Sequence, residues 1–212
     1  AQVYCSMVRE MNAVCDNPVF LEDGTALMGA NWDSSYEAIY CDALCVGVIN
    51  VVKMINTHEK RLMDGRITGL YPYLVEKPGV NSGFMIVQNA VEGFSAEIAQ
   101  LSNPATAFYT MVGSGQEGPN PLSDGAALKL CQVAEKFKYL VGMTMLSALQ
   151  ALDLIPDRPS VMIQKIHAEA RKTVSFMTRD DMMYERTEAM QRLIDSGALL
   201  RMAERETGPF PV

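Results

Sequence analysis

Two histidines, His58 and His167, and five cysteines, Cys5, Cys15, Cys41, Cys45 and Cys131, are the side chains best suited to act as nucleophile, thiolate or soft metal ligand. Neither histidine stands in a metal-ligand spacing or forms a nucleophile–base pair visible in the sequence. His58, beside Glu59 and Lys60, reads as a solvated or packing residue, and His167 as part of a charged amphipathic helix. The cysteines are odd in number, and none stands in a C-x-x-C pair. Cys41 and Cys45 lie one helical turn apart with no further ligand nearby, so the thiols read as reduced, the compartment as cytoplasmic and a metal as unsupported. No dinucleotide fingerprint, P-loop, H-E-x-x-H or G-x-S-x-G pattern occurs. Gly113-Ser114-Gly115 is a weak phosphate cradle, and Asp180-Asp181 reads as the acidic opening of a helix rather than a catalytic pair.

The elements that must position any site are long helices. Ser34-x-x-Glu37 reads as a capping box, opening a helix that runs from about 36 to 64 and stops at Gly65. A second helix is expected from about 81–83 to 102, and a third from 123 to 155. A fourth spans 157–178, and a fifth opens at Asp180-Asp181 and closes at Ser196-Gly197. The first 30 or so residues read as irregular, with turns at Asp16-Asn17-Pro18 and Glu22-Asp23-Gly24, and the tail from 206 should fray. No strand alternation longer than a few residues is visible, so the class is all-α. The expected division is a long-helix bundle part, 1–156, and a C-terminal helical extension, 157–212.

A net charge of -7 argues against a general nucleic-acid binder and against attraction to anionic membranes. The most apolar runs, 43–52 and 139–152, fall short of the roughly 20 residues that a membrane span needs. A helix of 30 residues is about 45 Å long, and two of the long helices are apolar all round in part. A chain of 212 residues cannot cover all of that surface, so an obligate oligomer is expected.

Three segments are more particular than helix packing requires. They are Asn12-Ala13-Val14-Cys15-Asp16-Asn17-Pro18, Gly29-Ala30-Asn31-Trp32-Asp33-Ser34 and Gly79-Val80-Asn81-Ser82-Gly83-Phe84-Met85-Ile86. With the connection Gly69-Leu70-Tyr71-Pro72-Tyr73-Leu74-Val75, the pair Gln116-Glu117 and the helix end at 151–154, the chain resembles the C-terminal part of the aromatic amino acid ammonia-lyases and aminomutases. The resemblance covers roughly residues 8 to 200, with five motifs in register. It implies a long-helix bundle completed by partner chains. It also implies lyase or aminomutase chemistry that depends on an electrophilic methylidene-imidazolone made from an internal Ala-Ser-Gly. This sequence has no Ala-Ser-Gly: Asp195 precedes Ser196-Gly197 and Asn81 precedes Ser82-Gly83. The family's base and carboxylate-binding arginine also lie in its N-terminal portion. The resemblance therefore implies a C-terminal subunit of a split enzyme, with the prosthetic group on a separate N-terminal subunit in a hetero-oligomer.

Carried over by motif, Glu117 is the candidate catalytic residue, a carboxylate able to face a departing ammonium. Asn31, Trp32, Asp33, Met85 and Gln116 are the candidate substrate-binding residues. Trp32 stands where the family has phenylalanine, Asp33-Ser34 where it continues with His or Gln and Gly, and Gly118-Pro119 where it often has Asp-His. Asp33 and Ser34 have a competing role as helix caps, Met85 as core, and Glu117 as an exposed loop residue. The expected substrate is an amino-acid-like small molecule undergoing amine elimination, 2,3-amine migration or a related β-elimination. Two other readings stand beside this one: a non-catalytic scaffold or regulatory subunit, and a fragment of a full-length lyase, consistent with the opening Ala1.

Overall fold

The computed structural model describes residues 2–29, 32–108, 111–116, 118 and 120–210. Helices dominate, as the all-α reading expects: α1 Gln2–Met11, α2 Ser35–Met63, α3 Gly65–Thr68, α4 Met85–Leu101, α5 Ser123–Leu154, α6 Val161–Arg171, α7 Met183–Asp195 and α8 Ala198–Thr207. Among the described residues the strands are β1 Val19–Phe20 and β2 Ala26–Leu27, an antiparallel pair with Val19 opposite Leu27. Their turn is the expected one at Asp23-Gly24. Asp23 Oδ1 accepts the Thr25 amide at 2.9 Å, and Gly24 sits at φ 84°. Strands of two residues are too short to show alternation, which is why the sequence pattern did not reveal them.

α1 replaces an expected irregular stretch. Its apolar residues Tyr4, Met7, Val8 and Met11 are exposed, while Ser6 is buried and donates its hydroxyl to Glu37 at the start of α2. Glu37 is therefore engaged across helices, and the expected box with Ser34 does not form. Asp33 caps α2 instead, its Oδ1 accepting the Ser35 amide at 3.2 Å.

The chain gathers into two compact units. One comprises Ala1–Ile49 with Ile98–Ala134, the other Asn50–Glu97 with Glu135–Val212. α2, α4 and α5 each run from one unit into the other. In the first unit Ala38, Cys41 and Ala126 form a small core against Ala105 and Leu130. In the second, Leu74, Val75, Val91, Leu140, Met177 and Met190 are essentially removed from water, each such side chain contributing about 1.5–3 kcal/mol.

α2 buries Cys41, Cys45, Ile49 and Val52 at helical spacing and exposes Ile39, Leu44, Val46, Val51 and Met54. An 18-residue window within it has a mean hydropathy of 1.8 and is one-third buried, so by length and composition alone α2 could cross a membrane. The apolar stretch is thus longer than 43–52 suggested. The same helix carries the buried charged residues Asp42 and Glu59, both hydrogen-bonded within the chain.

The C-terminal half departs from expectation at three points. α6 is shorter than 157–178 and starts after Ser160, whose Oγ accepts the Ile163 amide at 3.4 Å. α7 starts at Met183, not at Asp180-Asp181, because those two carboxylates are engaged elsewhere. Beyond the left-handed Gly197 the chain enters α8, which packs against α6 and α7 with Leu199 buried.

Candidate functional site

The polar segment ahead of α2 is tied locally. Asn12 Nδ2 donates to the Val8 carbonyl at 2.7 Å. Asp16 Oδ1 accepts the Asn17 amide at 2.9 Å, and Asn17 Oδ1 accepts the Gly29 amide at 3.1 Å. The last bond brings the chain back to the start of α2, with Gly29 so close to the Asp16 carbonyl that an added Cβ would lie 3.3 Å from it. The turn expected at Asp16-Asn17-Pro18 satisfies polar groups locally, and Asn12, Asp16 and Asn17 are exposed.

Trp32 and Asp33 stand directly before α2. Asn31 and Glu117 lie outside the described residues. The indole of Trp32 is 42% exposed, and its edge faces the backbone of Gly118. A Cβ on Gly118 would lie 3.0 Å from Trp32 Cη2 and 3.5 Å from Cζ2. Trp32 and the loop after Gln116 therefore meet within the first unit, and the larger ring at 32 is accommodated by the missing side chain at 118. Two departures from the family pattern thus form one packing pair.

The loop carrying Gln116 is built from left-handed residues: Gly113, Ser114 and Gly115 have φ of 60°, 56° and 82°. Gln116 itself is exposed, its amide donating to the Gly113 carbonyl at 3.0 Å. The upstream end of this loop is anchored by Asp42. One of its oxygens accepts the Thr106 amide at 3.0 Å and the Thr106 hydroxyl at 2.8 Å, and the other accepts from Lys129 Nζ. Lys129 also donates to the Asn103 carbonyl. Burial works to raise the Asp42 pKa, but Lys129 and Thr106 outweigh it and hold the carboxyl below its ordinary value.

Met85 belongs to the other unit and begins α4, half-buried. The turn before it is tightly specified. Gly83 has φ 59°, and a Cβ there would lie 2.5 Å from both the Tyr73 carbonyl and Val75 Cγ1. Phe84 donates its amide to the Tyr73 carbonyl at 3.0 Å. The Asp180 carboxylate accepts the Ser82 and Gly83 amides, each at 2.8 Å. Asp180 thus does stabilise a helix N-terminus, but that of α4, while Asp181 pairs with Arg186. The buried Gln150 completes the frame: Nε2 donates to the Leu74 and Met177 carbonyls at 3.1 and 2.7 Å, and Oε1 accepts the Met177 amide at 3.1 Å.

Of the three Ser-Gly steps, Ser114-Gly115 follows Gly113, and the other two do not suit the formation of an imidazolone. The amides of Ser82 and Gly83 are held by Asp180, and Ser196 Oγ donates to the Leu193 carbonyl at 2.7 Å while accepting the Ala198 amide at 3.2 Å. Among the described residues no group of three or more His, Cys, Asp or Glu side chains could hold a metal ion.

Residues 1–172 match the family described as aromatic amino acid lyase. The chain belongs to that family. It is 34% identical to a histidine ammonia-lyase of Anaeromyxobacter dehalogenans over 91% of its own length and 38% of the relative's. It is 31% identical to a histidine ammonia-lyase of Sorangium cellulosum, over 96% of this chain and 41% of that one. The crystal structure of histidine ammonia-lyase from Trypanosoma cruzi superposes with a TM-score of 0.90 at 26% identity, covering 96% of this chain and 41% of that one. A tyrosine aminomutase from Streptomyces globisporus shares the fold, with a TM-score of 0.86 at 24% identity over 97% of this chain and 40% of that one. The chain therefore spans about two fifths of the length of the relatives it matches.

Sequence reasoning missed Asp42, Gln150 and Asp180 as the residues that set the loops. Asp42 could have been found, because a carboxylate in an apolar helix must have a partner. Its partners, Thr106 and Lys129, are 64 and 87 positions away, and no local pattern names them.

Proposed function

We propose that this chain is the C-terminal subunit of a split ammonia-lyase or aminomutase-like enzyme acting on an amino-acid-like substrate. The observation carrying the lyase part of this reading is the family match over residues 1–172, with histidine ammonia-lyase relatives and fold neighbours over most of the chain. An N-terminal subunit carrying Ala-Ser-Gly would bring methylidene-imidazolone, whose electrophilic carbon is the chemistry this chain lacks. This chain would supply Trp32 as an aromatic wall, Glu117 as the carboxylate facing the substrate ammonium, and Asn31, Asp33, Met85 and Gln116 as neighbouring contacts. The exposed apolar residues of α2 support a partner, since a stripe of that kind is stable in water only when covered.

The test is co-expression with an N-terminal lyase-like chain carrying Ala-Ser-Gly. The two should co-purify, show near-ultraviolet absorbance of the electrophile and release ammonia from an amino acid. Separate elution with no ammonia release would overturn the proposal. A second reading, a non-catalytic scaffold, is favoured by one observation: the Asp33 carboxylate is used as a helix cap. Trp32→Ala together with Glu117→Gln separates the two, because a catalytic complex should lose at least a hundredfold in turnover and a scaffold nothing.

A further inference from the structure

Within the second unit, Ile55, Leu62, Met145 and Ala148 wall a cavity of about 350 Å³ between α2 and α5. Its polar lining is Glu59, Thr144 and His58. Glu59 is only 2% exposed, and Ser147 Oγ donates to its Oε1 at 2.6 Å. Its other oxygen, Oε2, accepts no hydrogen bond from any described residue. Among the described residues no cation compensates it. On α2, His58 is exposed and Lys60 is turned to Glu92, with Nζ 2.7 Å from the Glu92 carboxylate. From α5 it meets hydroxyls and no ionisable group in this cavity. Thr144 Oγ1 already donates toward the Leu140 and Val141 carbonyls, which leaves it able to accept. Burial, opposed only by the Ser147 bond, pushes the Glu59 carboxyl up to about 7.

A mostly apolar cavity with a few convergent polar groups and an under-partnered buried carboxylate is the arrangement of a ligand pocket. The charge that would relieve it is positive. We propose that this cavity binds a small organic cation, a primary amine on a compact apolar body, with its ammonium on Glu59 Oε2 and Thr144 Oγ1 and its body against Ile55, Leu62 and Met145. None of the residues lining this cavity is among those assigned to the lyase reaction, and the proposal does not rest on that reaction. A bound ammonium favours the ionised carboxyl, so binding at lower pH releases a proton from Glu59 and affinity falls with pH.

The test uses the full chain, with cyclohexylmethylamine as probe and cyclohexylmethanol as its neutral counterpart, titrated calorimetrically at pH 8 and pH 5.5. The amine should bind saturably and at least tenfold more tightly than the alcohol at pH 8, with that preference largely lost at pH 5.5. Glu59→Gln, which keeps the Ser147 bond, should abolish the preference. Ala148→Leu, a change at an exposed wall position, should block both ligands even if the Glu59 variant fails to fold. Equal binding of amine and alcohol, no saturable binding, or an unchanged preference in Glu59→Gln would overturn the proposal. So would a Glu59→Gln effect confined to the oligomeric state, which would make another chain the occupant.

Discussion

Trp32 and Gly118 show how two residues that look like separate losses of a family pattern become one feature in space. A Cβ on Gly118 would meet the indole at 3.0 Å, so Gly118→Asp should cost about 1–3 kcal/mol by overpacking. Trp32→Phe should relieve most of that, giving a coupling of about 1 kcal/mol or more in a double-mutant cycle read by denaturant unfolding. Additive effects would show that the two side chains do not share this space. Glu59 gives a pH prediction. Its pKa is raised in the folded chain from an ordinary 4.5 to about 7. The stability that goes with the neutral acid is therefore fully present below about pH 4.5, declines as pH rises, and is lost above about 7. Glu59→Gln should match the parent at pH 4.5 and exceed it at pH 8 by on the order of 3 kcal/mol. A stability difference that does not change with pH would show that Glu59 titrates normally.

At the scale of elements, loops are held to helices by single polar residues, Asp42 buried and Asp180 exposed. Removing the Asp42 carboxylate by Asp42→Ala leaves Lys129 with 13% side-chain exposure and no carboxylate partner. That should cost about 3–5 kcal/mol and raise amide exchange at Thr106. If exchange at Thr106 stayed unchanged, Asp42 would not be the anchor of the loop. Asp180→Ala removes the acceptor of the Ser82 and Gly83 amides and should loosen the start of α4, with faster exchange confined to the turn before Met85. The long helices were legible because α2 and α5 run 29 and 32 residues between clear breakers. α1 and the strand pair were not, since their order depends on Ser6 meeting Glu37 and on a pairing two residues long. The start of α7 was misplaced for a related reason: Asp180 has the composition of a first-turn residue, but it serves α4, whose turn lies 98 positions away at Ser82.

For the whole molecule, the apolar surplus read from the sequence is present as exposed surface along α2. Ile39 is 53% and Met54 61% exposed. Ile39→Glu with Met54→Glu should leave the fold of the chain within about 0.5 kcal/mol per site and abolish association with a partner chain, measured by sedimentation velocity. Retained association would place the partner elsewhere. By itself the sequence determined the helical class, the family and the lack of an Ala-Ser-Gly, because periodicity, breakers and contiguous motifs are local properties of a chain. Only the tertiary structure decided which carboxylate holds which loop, that Trp32 and Gly118 fit together, and that Glu59 is buried with one oxygen unpaired. Those facts depend on distances between residues far apart in sequence and on how completely water is excluded, and neither is written in local order.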